Sequence, residues 1–236
     1  MYKIKRVVQT SEIGREYVLR TFDLVNMIQD VEGLHIDHLD KLSMESRDEG
    51  FAIVLNFRHI KINRLPSFKE ELEIITNPYN TTPFYGYRNT VIFDHKQVPI
   101  IESYCVGSFI KLDGMKPYRL SKEALDSIVN DVPYEMTYVG RKIKLDESYP
   151  IGETIKIEVQ PSFIDYYQHL NNAYYVDFAV NLLPDKYHFT SISCEYRFPY
   201  SKGEIIYLNL YELPLGYLIK FSDSEQRIHA LIEFTE

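Results

Sequence analysis

The chain has 236 residues, of which 45% are hydrophobic and 25% charged, and its formal net charge at pH 7 is −8. This composition is typical of a globular protein with a sizeable core, and it excludes an intrinsically disordered chain. The acidic balance argues against general nucleic-acid binding, which depends on a basic surface. The 20 tyrosines and 13 phenylalanines, with no tryptophan, favour a structure rich in β-strands.

Cysteine usage and hydropathy predict the compartment. Cys105 and Cys194 are the only cysteines, which is too few for a disulfide framework or a metal-ligand set. The N-terminal residues carry charge but no apolar run as long as that of a signal peptide, and no stretch approaches the length of a membrane span. We therefore expect a cytoplasmic protein that uses neither a metal ion nor a cofactor.

The first half of the chain predicts one long helix and a series of strands. Helical periodicity runs from Leu19 to Leu39, and Gly33 predicts an end or a bend within this helix. The extended segments are Tyr2–Val8, Phe51–Asn63, Glu70–Thr76, Gly86–Phe93 and Ile101–Leu112. Turns are predicted between these strands at Leu65-Pro66, Asn77-Pro78, Thr82-Pro83 and 94–97.

Residues 113–149 form the predicted connection between the two halves. This connection contains a short helix, Ser121–Val129, and two clusters of basic residues. The clusters comprise Lys116, Arg119 and Lys122, followed by Arg141, Lys142 and Lys144. Scattered charge of this kind is typical of a solvated linker. The alternative is a basic patch that docks an acidic partner on an acidic protein.

The second half repeats the order of elements of the first. A helix is predicted from about Gln168 to Leu183, and Pro184 ends it. The extended segments are Thr154–Val159, Thr190–Phe198, Ile205–Leu213, Tyr217–Ser222 and Arg227–Phe234. Residues 64–72 (RLPSFKEEL) and 197–206 (RFPYSKGEII) share their turn residues, which indicates an internal repeat.

One long helix followed by several antiparallel strands is the plan of a sheet wrapped round a helix. Each half alone would leave a sheet edge unpaired, and two halves joined edge to edge would hide these edges. We therefore predict an α+β fold in which two long helices pack on one continuous antiparallel sheet. The predicted domains are an N-terminal unit at residues 1–112, a linker at 113–149 and a C-terminal unit at 150–236.

The segment Asp165–Tyr175 carries the groups best suited to catalysis. It holds a carboxylate, an imidazole at His169 and two asparagines ahead of an apolar run. Such groups polarise carbonyls, orient water and transfer protons, and a helix start offers N–H groups to an oxyanion. The segment therefore predicts a hydrolytic site on the first turn of the second helix. The same residues also suit a structural role, with Asp165 as an N-cap and the asparagines as turn formers.

Taken together, these segments resemble the acyl-ACP thioesterases, the double-hotdog hydrolases that end fatty-acid synthesis in plants and occur widely in bacteria. Asp165–Tyr175 is similar to the family pattern D-x-N-x-H-x-N-N-x-x-Y, and Glu195-Tyr196-Arg197 is similar to its E-Y-R strand. The remaining similar segments are Gln29, Gly33, 58–66, 70–76, Tyr87-Arg88 and 108–120. The resemblance covers nearly the whole chain and implies a tandem (double) hotdog fold.

The resemblance also implies roles for individual residues. Asp165 and His169 stand at two catalytic positions of the family, whereas Tyr167 stands where the family has a catalytic Asn. Pro199 and Tyr200 occupy the places of a family Glu and of the Cys that follows it in the plant enzymes. We expect the Tyr167 hydroxyl to replace part of the missing Asn as a hydrogen-bond donor, in an enzyme that is slow for its family.

Substrate contacts are expected in both halves of the chain. In the motif they are assigned to Asn171 and Asn172, and in the first helix to Gln29 and Ile28. The first helix lacks a polar cluster, so the acyl tunnel is predicted in the first unit, lined by apolar residues of 19–34 and the facing strands.

The resemblance implies a thioester hydrolase that releases free fatty acid from acyl-ACP in fatty acid biosynthesis, with acyl carrier protein as its partner. Two alternatives stay open: an acyl-CoA thioesterase, and a catalytically weak hotdog protein that binds acyl chains or acyl-ACP. The hydrolase is favoured, because Asp165, His169 and the paired asparagines have little reason to cluster in a pure binder. A homodimer is left open.

Overall fold

The computed structural model describes residues 1–145 and 150–236. The chain divides into two compact units. The first unit comprises residues 1–20 and 26–139, and the second comprises residues 21–25 and 140–236. Residues 146–149, the end of the predicted linker, lie outside the described residues. The boundaries at 112 and 149 stay predictions.

The first unit is an antiparallel sheet with a long helix. Its helices are α1 (Thr21–Asp37, of which 21–25 group with the second unit), α2 (Asp40–Glu49) and α3 (Lys122–Ser127). Its strands are β1 (Tyr2–Val7), β2 (Phe51–Ile62), β3 (Glu71–Thr81), β4 (Tyr85–Phe93), β5 (Pro99–Lys111) and β6 (Lys116–Pro117). The strand order is β1-β3-β4-β5-β2, and β6 pairs with β5.

The second unit has the same plan with a shorter helix. Its helix is α4 (Asn172–Val180). Its strands are β7 (Pro150–Glu158), β8 (Ser191–Tyr196), β9 (Ile205–Leu213), β10 (Gly216–Ser222) and β11 (Ile228–Thr235). The strand order is β8-β11-β10-β9-β7, again antiparallel. The predicted α+β class is confirmed. In the described part of the chain, no helix combines the length and the hydropathy required to cross a membrane.

Several predicted boundaries differ from the observed ones, and three of the differences have a local reason. Helix α1 does not stop at Gly33 but continues to Asp37, because one glycine lowers helix stability without breaking it. Strand β3 continues through the predicted Asn77-Pro78 turn, with a bulge between Pro78 and Asn80. Helix α4 begins at Asn172 and not at Gln168, whose φ of 66° is left-handed and cannot belong to an α-helix.

The internal repeat extends to main-chain hydrogen bonds ahead of the long helices. In the first unit Gly14 N–H donates to the Val18 carbonyl at 2.9 Å, and Leu19 N–H donates to Pro66 at 2.9 Å. In the second unit Asp165 N–H donates to the His169 carbonyl at 2.8 Å, and Leu170 N–H donates to Tyr200 at 2.8 Å. Residues 8–19 (VQTSEIGREYVL) therefore correspond to residues 159–170 (VQPSFIDYYQHL).

A second set of bonds fixes the correspondence of the strands. Asp94 N–H donates to the Val98 carbonyl at 3.0 Å, and Asp223 N–H donates to Arg227 at 3.2 Å, so β4–β5 corresponds to β10–β11. In β5 the Ile100 carbonyl accepts hydrogen bonds from the main-chain N–H groups of residues 63 and 64. In β11 the His229 carbonyl accepts in the same way from residues 197 and 198. Strand β2 therefore corresponds to β8.

Candidate active site

The three predicted catalytic residues lie in one tight turn that precedes α4. The turn is closed by the Asp165–His169 main-chain bond and by a second bond from Gln168 N–H to the Asp165 carbonyl at 3.0 Å. The Asp165 carboxylate accepts, through Oδ1, from the main-chain N–H of Tyr167 at 2.9 Å and of His169 at 3.2 Å. The structure thus brings Asp165, Tyr167 and His169 together, as parts of one hydrogen-bonded turn.

The side chains of this turn lie at the boundary between core and solvent. Asp165, Tyr167 and His169 are half-buried, and the neighbouring Tyr166 is 82% exposed with its ring 4.0 Å from that of Tyr167. Among the described residues, no hydrogen bond joins the Asp165 carboxylate to the His169 ring.

The turn of the first unit shows what the fold itself requires. There the positions of Asp165, Gln168 and His169 are held by Gly14, Tyr17 and Val18, and the residue before the last is again left-handed, with φ of 61° at Tyr17. Because the turn closes with glycine at its first position, the carboxylate is not needed to form it. The carboxylate and the imidazole of the second unit are therefore additions to a turn that the first unit forms without them.

The structure corrects the predicted position of the polar cluster relative to the helix. Asn171 is the N-cap of α4, and its Oδ1 accepts from Ala173 N–H at 2.9 Å. Asn172 is the first helical residue and is half-buried. The cluster therefore lies before the helix and not on its first turn. Substrate binding by Asn171 and Asn172 stays a prediction, with capping now the observed role of Asn171.

Tyr175, the last residue of the motif, is a core residue. It is 3% exposed, and its ring lies 5.3 Å from Tyr196, 6.0 Å from Tyr200 and 5.2 Å from Phe221. Burial raises the pKa of its hydroxyl far above the ordinary range. Tyr175 therefore fixes α4 against the sheet and stays neutral.

A second Asp–His pair lies in the same unit and was missed by sequence reasoning. His229 Nε2 is 3.3 Å from Asp223 Oδ2, and the His229 ring stacks on Tyr200 with centroids 4.0 Å apart. Tyr200 accepts from Leu170, the residue after His169, so this stack is tied to the candidate turn. The sequence did not predict this pair, because Asp223 follows β10 and His229 lies within β11, and no motif links the two positions. The only sequence signal was Tyr200, which occupies the place of the family Cys.

Glu195 of the E-Y-R strand has a structural role. Its buried carboxylate accepts from Ile143 N–H at 2.7 Å and from Arg197 Nε at 2.9 Å. These bonds attach the end of the connection to β8. Pro199, at the place of the family Glu, is exposed.

The predicted substrate residues of the first unit lie on α1. Ile28 is fully buried, and Gln29 is half-buried with its Nε2 3.3 Å from Asn26 Oδ1. Leu34, at the end of the predicted apolar lining, is 47% exposed, so the lining does not extend that far. The remainder of the predicted tunnel stays a prediction.

The predicted basic clusters are on the surface. All six side chains are exposed: Lys116, Arg119, Lys122, Arg141, Lys142 and Lys144. The first cluster belongs to the first unit and the second cluster to the second unit. Within the described part of the chain, no group of three His, Cys, Asp or Glu side chains is placed to hold a metal ion.

Comparison with known proteins places these features in context. A family model described as "Acyl-ACP thioesterase N-terminal domain" matches residues 1–128, a range that ends before the candidate turn. A sequence comparison with curated proteins finds no match.

Two solved structures are similar over their whole length. An acyl-ACP thioesterase from Bacteroides thetaiotaomicron has a TM-score of 0.87 at 16% identity, covering 99% of this chain and 96% of that chain. A 12:0-ACP thioesterase from Umbellularia californica has a TM-score of 0.85 at 14% identity, covering 99% and 96%. The predicted tandem hotdog fold is confirmed.

Proposed function

The chain belongs to the acyl-ACP thioesterase family, and from this premise we propose that it hydrolyses fatty acyl thioesters of acyl carrier protein at the turn formed by Asp165, Tyr167 and His169. One observation carries the assignment of the site. The first unit forms the same turn with Gly14 and Val18, whereas the second unit places a carboxylate and an imidazole there. A fold requirement does not explain these two side chains.

The proposed reaction uses water as the nucleophile. His169 takes a proton from water as the water oxygen attacks the thioester carbonyl, and the carbonyl oxygen becomes an oxyanion. The Tyr167 hydroxyl donates a hydrogen bond to that oxyanion in place of the family Asn. When the intermediate collapses, the carbon–sulfur bond breaks and the imidazolium returns its proton to the departing thiolate. The products are a free fatty acid and the carrier thiol.

Asp165 has a positioning role in this scheme. Its Oδ1 is occupied by two main-chain N–H groups, so the carboxylate is fixed relative to the turn. A negative charge held in the same turn as His169 would stabilise the imidazolium that forms during the reaction, because an opposite charge nearby favours the charged form.

The basic clusters supply the proposed partner interaction. Acyl carrier protein is acidic and this chain carries a net charge of −8, so docking requires local positive charge. The exposed cluster at 116–122 and the exposed cluster at 141–144 are each a proposed docking point. A coenzyme A thioester has no acidic helices. Charge reversal in the clusters should therefore raise the KM for acyl-ACP more than the KM for acyl-CoA.

A hydrolysis assay with acyl-ACPs and acyl-CoAs of graded chain length tests the function directly. We expect hydrolysis of acyl-ACP by the natural chain and loss of nearly all of it in His169→Ala. The matched control is Val18→Ala, which removes the corresponding side chain of the first unit and leaves kcat unchanged. Preference for acyl-CoA would establish the first alternative, and binding of acyl chains without hydrolysis would establish the second.

A further inference from the structure

A cluster of buried polar side chains lies under α1 in the first unit. Glu32 and Arg58 form a two-pronged ion pair, with Nη1–Oε1 at 3.0 Å and Nη2–Oε2 at 2.5 Å, and both side chains are less than 10% exposed. Thr90 Oγ1 donates to Glu32 at 2.8 Å. A buried pair satisfied in this way is balanced in charge.

Arg88 adds a positive charge that this pair does not balance. Its Nη1 donates to His35 Nδ1 at 2.7 Å and to Thr76 Oγ1 at 3.2 Å. Burial, followed by the nearby Arg88 charge, lowers the pKa of His35 to about 4, so this histidine is neutral near pH 7 and accepts the hydrogen bond. Two guanidinium groups therefore share one carboxylate, Glu32.

The guanidinium of Arg88 has donors to spare. An arginine carries N–H donors on Nε and on both Nη atoms, and its Nε–Nη2 edge can bind a carboxylate with two parallel bonds. In the described part of the chain, both hydrogen bonds of Arg88 come from Nη1. The side chain is 8% exposed, so it is enclosed but retains accessible surface.

The sheet does not require the charged residues of this cluster, because the second unit has uncharged residues at the corresponding strand positions. In the first unit Cys105 lies between Arg58 and Arg88 in the strand register, and Thr76 lies opposite Thr90. The corresponding residues of the second unit are Phe234 between Ile192 and Tyr217, and Leu210 opposite Ile219. The same sheet positions are stable with an ordinary hydrophobic core.

We propose that Arg88, with His35 beside it, forms a buried carboxylate-binding site in the first unit, and that its ligand is the carboxylate of an alkyl chain. A monoanion matches the one uncompensated positive charge. Ile28 and Val31 are fully buried and precede Glu32 and His35 by one helical turn on α1, so the charged group adjoins the apolar core.

The proposal deepens the proposed function and rests on it only for the source of the carboxylate. One source is the far end of a dicarboxylic acyl chain that is bound as a thioester. The other source is the free fatty acid that hydrolysis releases. Both molecules present an alkyl carboxylate. In the first case the thioester substrate carries this carboxylate, and in the second case only the product does.

Titration calorimetry of the full chain with octanoate and with 1-octanol tests the site without any hydrolysis. We expect octanoate to bind at least about tenfold more tightly than octanol, since charge-assisted paired bonds favour the anion. Arg88→Met abolishes this preference. The matched control is Arg64→Met, because Arg64 already pairs with Glu70 and Asp94 in the same unit. Equal binding of the two ligands by the natural chain would overturn the proposal.

A reserve variant guards against misfolding of Arg88→Met. Arg88→Lys keeps the buried charge but loses the paired donors, so the preference for octanoate falls in this variant and does not vanish. A preference that is unchanged in folded Arg88→Met or in Arg88→Lys would assign the carboxylate to another site and overturn the proposal.

Kinetics then identify the source. If the far end of the chain is bound, the mono-CoA thioester of octanedioic acid has a lower KM than octanoyl-CoA, and Arg88→Met removes the difference. If the product is bound, octanoate inhibits octanoyl-CoA hydrolysis and Arg88→Met relieves the inhibition. Absence of both effects in an active enzyme would overturn the proposal, whereas an enzyme inactive on all thioesters would refute only the proposed function.

Discussion

Gly14 and Asp165 occupy the same position of the same turn, each donating its main-chain N–H to the carbonyl four residues later, at 2.9 Å and 2.8 Å. The two turns differ in what their side chains can do. The first unit forms the turn with glycine and valine, and the second unit forms it with a carboxylate and an imidazole.

Substitution of Asp165 by Asn should separate these roles. Asn keeps a side-chain oxygen that can accept from Tyr167 and His169, so the free energy of unfolding should change by less than about 1 kcal/mol. Hydrolysis should fall by about 100-fold or more, because the negative charge that stabilises the imidazolium is lost. Urea unfolding and kcat/KM for acyl-ACP measure the two effects. Unchanged kcat/KM would remove Asp165 from the mechanism.

Restoring the family residues tests the role of the replaced positions. The double change Tyr167→Asn with Pro199→Glu supplies the amide and the carboxylate that the family pattern contains. We expect kcat to rise by about tenfold or more, since one well-placed polar group is worth at least this factor in related reactions. Pro199 is exposed and Tyr167 half-buried, so the fold should tolerate both changes.

The two single variants are the controls for the restored enzyme. If the natural chain already hydrolyses acyl-ACP rapidly and the double variant gains nothing, the missing groups were never needed. Circular dichroism of each variant shows whether any loss of rate comes from the altered turn at residue 199.

Local patterns in the sequence predicted most of the fold. Strand β9 was predicted with its observed bounds, Ile205–Leu213, because alternating apolar residues end there in turn residues. Helix α2 was missed because few of its residues are apolar and only Leu42 and Ser43 are buried. Pro78 did not end β3, because it lies beyond Thr76, the last residue that pairs with β1, where a missing N–H costs no ladder bond on that side.

The candidate site was predictable only where its residues are neighbours in sequence. Asp165, Tyr167 and His169 fall within one turn, so their spacing in the sequence identified them. The Tyr200–His229 stack and the Glu32–Arg58 pair join residues of different elements, and no periodicity or spacing connects such residues. Their proximity follows from strand register, which single-sequence patterns do not determine.

Variants of Asn171, the N-cap of α4, can distinguish a structural role of this residue from a substrate-binding role. Asn171→Ala should lower the free energy of unfolding by about 1 kcal/mol, because the bond to Ala173 N–H is lost. Asn171→Asp keeps the cap and should restore stability. If Asn171 only caps the helix, KM for acyl-ACP stays constant in both variants. A KM that rises in Asn171→Asp despite full stability would establish the predicted substrate contact.

Buried titratable groups of the first unit should make the free energy of unfolding fall in two steps as the pH is lowered. Burial by itself raises the pKa of Glu32, but the ion pair with Arg58 outweighs it and the net pKa is below the ordinary value of 4.5. Stability from this group is present above pH 4.5 and is lost as pH falls through the lowered pKa. Burial lowers the pKa values of His35 and His59 from 6.5 to about 4. The folded protein therefore loses stability as the pH falls from 6.5 to 4, because in this range the unfolded chain binds protons that the folded chain does not.

Glu32→Gln should therefore lower the free energy of unfolding at pH 7 by about 3–5 kcal/mol, since it leaves Arg58 buried without its counter-charge. It should also remove the step below pH 4.5 and keep the step between pH 6.5 and 4. Urea unfolding from pH 8 to pH 3 measures both. The control is Glu123→Gln, which breaks the exposed pair with Lys41 and should leave the free energy of unfolding nearly unchanged. A Glu32→Gln variant as stable as this control would mean that the buried guanidinium is satisfied by other groups.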